Sequence, residues 1–174
     1  GIGYLIVTKS SIVGMDDYIG VMDRNLAHIQ VTVTTLDDGF YTNHVYERAS
    51  MPSDRLWAIE KLQDAGIDVA MRLSPLIEEY IDFEKLNNLK FNKVLVEFLR
   101  VNHWIERWFK GVDYSKYTLK ENGYRHLPLY EKIRILSRIT LPVTVCEDVT
   151  EHYEYWKENV NPNKDDCCNL GVAQ

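Results

Sequence analysis

Four segments of this chain have the composition of strands buried on both faces, yet each carries polar residues where aliphatics would pack better. They are Tyr4–Ser10 (YLIVTKS), Ile29–Thr35 (IQVTVTT), Val69–Leu76 (VAMRLSPL) and Val94–Arg100 (VLVEFLR). All four are rich in Val, Ile and Leu, as strands covered by helices usually are. Alternation puts Gln30, Thr32 and Thr34 on one face of the second segment and Arg72 and Ser74 on one face of the third, with Glu97 inside the fourth. An interior that only needed filling would use aliphatic side chains there. A sheet face reading Thr, Arg, Ser and Glu, with Lys9 at a strand end, predicts the wall of a polar cavity.

The spacing between these segments sets the fold class. Strand and helix patterns alternate over the first hundred residues, which predicts a parallel sheet with crossover helices. Residues 11–28 carry apolar residues at helical spacing, whereas LDDGFYTNHVYERASMP reads as irregular. The clearest helix follows. Ser50 or Ser53 is placed to cap it, Pro52 suits its first turn, Leu56, Ile59 and Leu62 form its apolar stripe, and Gly66 ends it. A further helix is expected around Tyr80–Leu89. The pattern changes after Arg100. Asn102–Phe109 reads as a short aromatic helix, KGVDYSKYTLKENGYRH as a long polar connection, and Leu127–Ile139 as an amphipathic helix. Thr140–Glu147 is strand-like and Glu151–Asn159 helical. The expected architecture is α/β: a partial (β/α) barrel of about four parallel strands with outer helices over residues 1–100, then a mainly helical extension over residues 101–174.

Bulk properties exclude several functions. With 174 residues and 45% hydrophobic content, the chain can bury a substantial core. Its net charge of −6 lacks the basic excess that grips duplex phosphates, although a local basic groove is compatible with it. No apolar run approaches the roughly 20 residues of a membrane span. GIGYLIVTKS reads directly as a strand rather than a signal peptide, so the expected compartment is cytoplasmic. Three cysteines (Cys146, Cys167 and Cys168) form no disulfide framework, and the vicinal pair reads as two reduced thiols.

In parallel α/β folds, ligands bind at the carboxyl ends of the strands, where the following loops converge. Lys9 and Ser10, Thr34 and Thr35, Ser74 and Arg100 occupy those ends here. A lysine and an arginine among hydroxyls suit a carboxylate, a phosphate or an amino-acid moiety. Two plainer readings stay open: Lys9 and Arg100 as solvated strand-end residues, and Arg72 with Glu97 as a buried ion pair closing the interior. His28, His44, His103, His126 and His152 show no metal-ligand spacing, and there is neither a glycine-rich phosphate loop nor a nucleophile elbow. Trp104, Trp108, Tyr114, Tyr117 and Tyr124 are of the kind that stack on bases, but read first as packing for the second half.

Taken together, VTKSSIV, IQVTVTT, VYERASMPSDRLWAIEKLQDAGIDVAMRLSPLI and VLVEFLR resemble the later strands of radical S-adenosylmethionine proteins, and within them the spore photoproduct lyase group. That group carries a strand ending in T-K-S, a following strand with hydroxyls, an E-P-x-x-S-P-E-E-R-L helix and a strand of R-x-S-P-I type. The resemblance covers roughly Tyr4 to Arg100 and is most specific from Glu47 to Ile77. It implies a partial barrel that binds S-adenosylmethionine beside a [4Fe–4S] cluster. Lys9 and Thr32 fall where the group contacts the methionyl part of the cofactor, while Arg72 and Ser74 fall where later strands approach the adenosine. Threonine stands at position 32 where the group usually has serine.

The C-x3-C-x2-C motif that holds the cluster in this family does not occur here. The cysteines are spaced C-x20-C-C, and without the thiolates a cluster has no ligands. The resemblance therefore implies the C-terminal part of a radical lyase-like enzyme, with nucleic acid as one candidate substrate. A radical enzyme acting on a peptide or nucleoside is an alternative, as is a non-catalytic subunit working with a partner chain. Partners are expected at the edge of the first strand, either a missing N-terminal half or a second copy.

Overall fold

A computed structural model describes residues 1–45, 48–164, 166 and 168. Its centre is a parallel sheet of β1 (Tyr4–Thr8), β2 (Ala27–Val33), β3 (Asp68–Leu76), β4 (Val94–Phe98) and β7 (Val143–Cys146), in the order β1-β2-β3-β4-β7. The first four strands lie in sequential order, as expected. The fifth is the strand-like segment after Thr140, which pairs with β4, so the sheet runs past Arg100 into the second half of the chain.

Alternation along β2 divides the sheet into two chemically distinct faces. Ala27, Ile29, Val31 and Val33 are buried in one apolar core with Val69, Met71 and Leu73 of β3, Val94 and Val96 of β4, and Val145 of β7. Gln30, Thr32 and Thr34 occupy the alternate positions and are buried as well.

The core face is covered by α3 (Pro52–Asp64), which lies against β2 and β3. Pro52 occupies its first turn as the sequence predicts, but neither Ser50 nor Ser53 caps it. The first-turn N–H of Ser53 instead donates 2.9 Å to Asp38 Oδ1, from the neighbouring α2 (Asp38–His44). Ser50 Oγ accepts from Ser11 N and Oγ. Gly66 closes the helix with φ 74°, the left-handed conformation glycine adopts without strain. The apolar stripe is rotated from the expected one: Arg55, Ala58, Ile59 and Leu62 are buried, while Leu56 is only half-buried.

Two segments differ from the sequence reading. Between β1 and the start of β2 at Ala27, the chain holds a 3-10 turn, Ser11–Gly14, and the single turn α1 (Asp16–Ile19) in place of a long crossover helix. Gly14 lies directly on α3, where a Cβ would come within 2.7 Å of Ala58 Cα, so a larger residue would push this turn off the helix. Conversely, the supposedly irregular stretch contains α2, capped by Asp37, whose Oδ1 accepts the Phe40 N–H at 2.6 Å. The Tyr80–Leu89 region resolves into a 3-10 turn, Glu78–Tyr80, and α4 (Phe83–Asn87).

Beyond β4 come α5 (Ile105–Trp108), a hairpin of β5 (Leu119–Glu121) and β6 (Tyr124–His126), α6 (Leu129–Leu136) and α7 (Thr150–Asn159). The hairpin lies inside the stretch read as a polar connection. Its turn is Asn122-Gly123, both at positive φ, the pair that a two-residue turn favours because it matches strand twist. Val101 exchanges backbone hydrogen bonds with Arg125, which moors the hairpin beside the carboxyl end of β4. No helix among the described residues is long and apolar enough to cross a membrane.

Candidate cofactor and substrate site

The polar stripes of adjacent strands meet on the face opposite the core. Thr32 of β2 is in register with Arg72 of β3, and Arg72 with Leu95 of β4. On β1, Thr8 pairs with Val31, so Lys9, the next residue, comes level with Thr32. Arg72 bridges the sheet laterally: Nη1 donates to Gln30 Oε1 at 3.1 Å and Nη2 pairs with Glu97 Oε2 at 2.5 Å. The same carboxylate oxygen accepts from Ser74 Oγ at 2.7 Å, and Oε1 accepts from Arg100 Nη2 at 2.9 Å. Burial would push the Glu97 carboxyl up, but hydrogen bonds from Arg72 and Ser74, with the charges of Arg72 and Arg100, hold it below the ordinary carboxylate range. Arg72 and Glu97 thus do pair, half-buried rather than sealed in the interior, and the pair forms part of a wider network.

The four residues singled out from sequence are brought together unequally. Arg72 and Ser74 share Glu97, and Thr32 sits beside Arg72 in register. Lys9 lies at the end of β1, two strands away from Arg72. Toward the amino ends of the strands, Gln30 Nε2 donates at 3.1 Å to the carbonyl of Cys168, which places that residue against this face.

At the carboxyl ends of β3 and β4 the wall opens into a cavity of about 410 Å³ lined by Ser74, Glu97, Arg100, Trp104, Trp108 and Tyr124. Arg100 Nη1 donates to Asp148 Oδ2 at 3.1 Å, and its guanidinium lies 5.9 Å from the Tyr124 ring centroid. Trp104 and Trp108 are each 58% exposed, which corrects the reading of these two as packing. Tyr117 is buried and does pack. Tyr114 is half-buried, its hydroxyl donating 2.6 Å to the Phe109 carbonyl. Trp104 immediately precedes the four-residue α5 and Trp108 ends it, and both indoles keep more than half their surface in solvent.

Two histidines meet carboxylates across the fold. His126 ends β6 against Asp148, and His152 of α7 approaches Glu147. Spacing in sequence could not show this, because hairpin, strand end and helix meet only in three dimensions. The cysteines, by contrast, do not fit an iron–sulfur cluster: Cys146 ends β7, Cys168 lies beyond α7, and Cys167 and Glu47 lie outside the described residues. Three thiolates at cluster spacing are absent from the sequence, so these residues do not supply a cluster's ligands.

No protein-family model and no curated protein matches the chain. Solved structures do. A spore photoproduct lyase complexed with dinucleoside spore photoproduct superposes with a TM-score of 0.53 at 18% identity, covering 81% of this chain and 49% of that one. A single cysteine-to-alanine variant of the lyase gives 0.55 at 17% identity over the same shares. A doubly substituted variant with bound AdoMet and dinucleoside spore photoproduct gives 0.53 at 18% identity, again over 81% and 49%. The chain spans about half the length of these proteins. At such identities the likeness is one of fold, and it bears out the resemblance to spore photoproduct lyase, a radical S-adenosylmethionine enzyme, and the partial-barrel architecture.

Proposed function

We propose that this chain forms the later strands of a radical S-adenosylmethionine barrel of lyase type, with the cofactor on the polar sheet face and a ring-bearing substrate at its carboxyl-end mouth. One observation carries the reading: a polar stripe through Thr32, Arg72, Ser74 and Glu97 crosses the ligand end of a sheet whose fold is shared with a lyase solved with AdoMet bound. Lys9 and Thr32 would hold the methionyl end, the ammonium facing its carboxylate. Arg72 and Ser74 are committed to Glu97, so they would act on the adenosine side by fixing that carboxylate. Bound S-adenosylmethionine would supply radical chemistry at the barrel mouth. This chain's residues would bind and orient it.

Trp104, Trp108 and Tyr124 beside Arg100 suit flat heteroaromatic rings, since stacking and a guanidinium favour bases over aliphatic groups. This favours nucleic acid, and a free nucleoside next, over a peptide. The remaining barrel strands, or a partner chain, would pair along β1. Among the described residues that strand has β2 as its one strand neighbour, and Leu5 and Val7 are exposed.

Lys9 tests the assignment. In the intact protein containing this chain, Lys9→Ala is expected to weaken S-adenosylmethionine binding by about 1.5–3 kcal/mol through loss of a charge-assisted contact. A solvated strand-end lysine would cost less than about 0.5 kcal/mol of stability and no affinity. Calorimetric titration of native protein and variant separates the two. Unchanged affinity in the variant would remove Lys9 from the site.

A further inference from the structure

Four side chains that the cofactor reading does not use converge behind the Arg100–Asp148 pair. They are His126 at the end of β6, Glu147 and Asp148 just after β7, and His152 in the first turn of α7. Ligand atoms of His126, Glu147 and Asp148 all lie within 4.8 Å of one another. His126 is 1% exposed, and its Nε2 lies 3.2 Å from the Glu121 carbonyl. A carbonyl can only accept, so Nε2 carries a proton, and Nδ1 lies 3.9 Å from Asp148 Oδ1. That separation is too long for a hydrogen bond. His152 repeats the situation: its Nδ1 is buried, has no hydrogen-bond partner, and sits 3.7 Å from Glu147 Oε2.

Two imidazole nitrogens thus stand just beyond hydrogen-bond reach of carboxylate oxygens, an arrangement that a shared cation would close. Two atoms each about 2.0–2.2 Å from one ion can be no more than about 4.4 Å apart, so 3.7 and 3.9 Å are already ligand-to-ligand distances. A backbone carbonyl that fixes the imidazole tautomer is the usual support of a metal-bound histidine. We propose that His126, Asp148 and Glu147, with His152 completing the set, form a site for a borderline divalent metal of the zinc class. Mixed imidazole and carboxylate ligands select such ions over calcium or magnesium. Asp148 is partly exposed and gives the ion its way in.

One group stands in the way. The buried Lys132 ammonium pairs with Glu147 Oε2. The ion would take its place on that oxygen, so lysine and metal compete for one carboxylate. The local balance leaves room for added charge: Glu97, Glu121, Glu147 and Asp148 face Arg72, Arg100 and Lys132.

The competition makes a two-sided test with Zn²⁺ alone as the probe, titrated into chelator-treated protein. One ion per chain is expected. Asp148→Asn, at an exposed position that should fold normally, and His126→Gln should each weaken binding by at least about 10-fold, the low end for loss of even a metal's outer partners. Lys132→Met should tighten it. Bound Co²⁺ should show ligand-field absorption without the intense charge-transfer band of thiolate ligation. Failure to bind, affinity indifferent to Asp148→Asn, or a thiolate band would each overturn the site.

Discussion

Arg55→Met is expected to lower the stability of the fold by about 3–5 kcal/mol, since it leaves three acceptors without their donor at about 1–3 kcal/mol for each that is buried. Arg55 is completely buried on α3. Its Nε donates to the Ser50 carbonyl at 2.7 Å, Nη1 to the Thr32 carbonyl at 2.9 Å and Nη2 to the Tyr41 hydroxyl at 2.7 Å. A methionine fills much of the volume but leaves those three acceptors facing an apolar side chain. Because one of the carbonyls belongs to Thr32, the same bonds tie α3 to the strand that carries the proposed cofactor site. Denaturant unfolding of native and variant protein measures the loss. A change below about 1 kcal/mol would mean the three acceptors find other donors.

Lys132→Met is expected to cost a similar amount, about 3–5 kcal/mol, because it strands a buried carboxylate. Lys132 is 1% exposed and the Glu147 side chain 4%. Burial would push the Glu147 carboxyl up, but the charge and hydrogen bond of Lys132, with the N–H groups of Val149 and Asp148, outweigh it and hold the carboxyl low. Removing the ammonium takes away the largest of these opposing effects. The Glu147 carboxyl of the variant should then rise above its ordinary value of 4.5. A folded-state value raised above the unfolded one means that protonation favours the fold, so the deficit should shrink as pH falls toward and below that value. It should shrink too in Lys132→Met/Glu147→Gln, which neutralises the stranded charge, and on adding Zn²⁺ at neutral pH. A deficit independent of pH, and additive in the double variant, would show that packing rather than charge is lost.

Much of the sheet was legible because its signal is local. Alternation in IQVTVTT places Gln30, Thr32 and Thr34 opposite the aliphatics, and the structure buries both sets. Pro52 and Gly66 mark the bounds of α3 for reasons internal to a few residues. The Asn122-Gly123 turn was equally local and was passed over inside a polar stretch. What sequence could not give depends on partners distant along the chain. Arg55 lies beside the expected apolar stripe, and the approach of Tyr41 and of the Thr32 and Ser50 carbonyls, all distant from it along the chain or outside the helix, helps make its burial tolerable. The N–H cap for Ser53 comes from Asp38 on another helix. Within the site, Arg72 with Glu97 was foreseen as a pair, yet the convergence of Ser74 and Arg100 on the same carboxylate needed the register of β3 against β4. His126 and His152 lie 26 residues apart, and no ligand spacing links them until the hairpin packs beside α7.

We propose above that the carboxyl ends of β1 to β4 form a cofactor-binding wall. Amide chemical-shift mapping during addition of S-adenosylmethionine tests it most directly, since it reports place as well as binding. The predicted result is a set of shifted amides at Lys9, Ser10, Thr34, Thr35, Leu99 and Arg100. Residues at the opposite ends of the strands, such as His28, Asp68 and Lys93, which are tied together by ion pairs, should stay unmoved. Shifts confined to that opposite end, or no shifts at saturating cofactor, would contradict it.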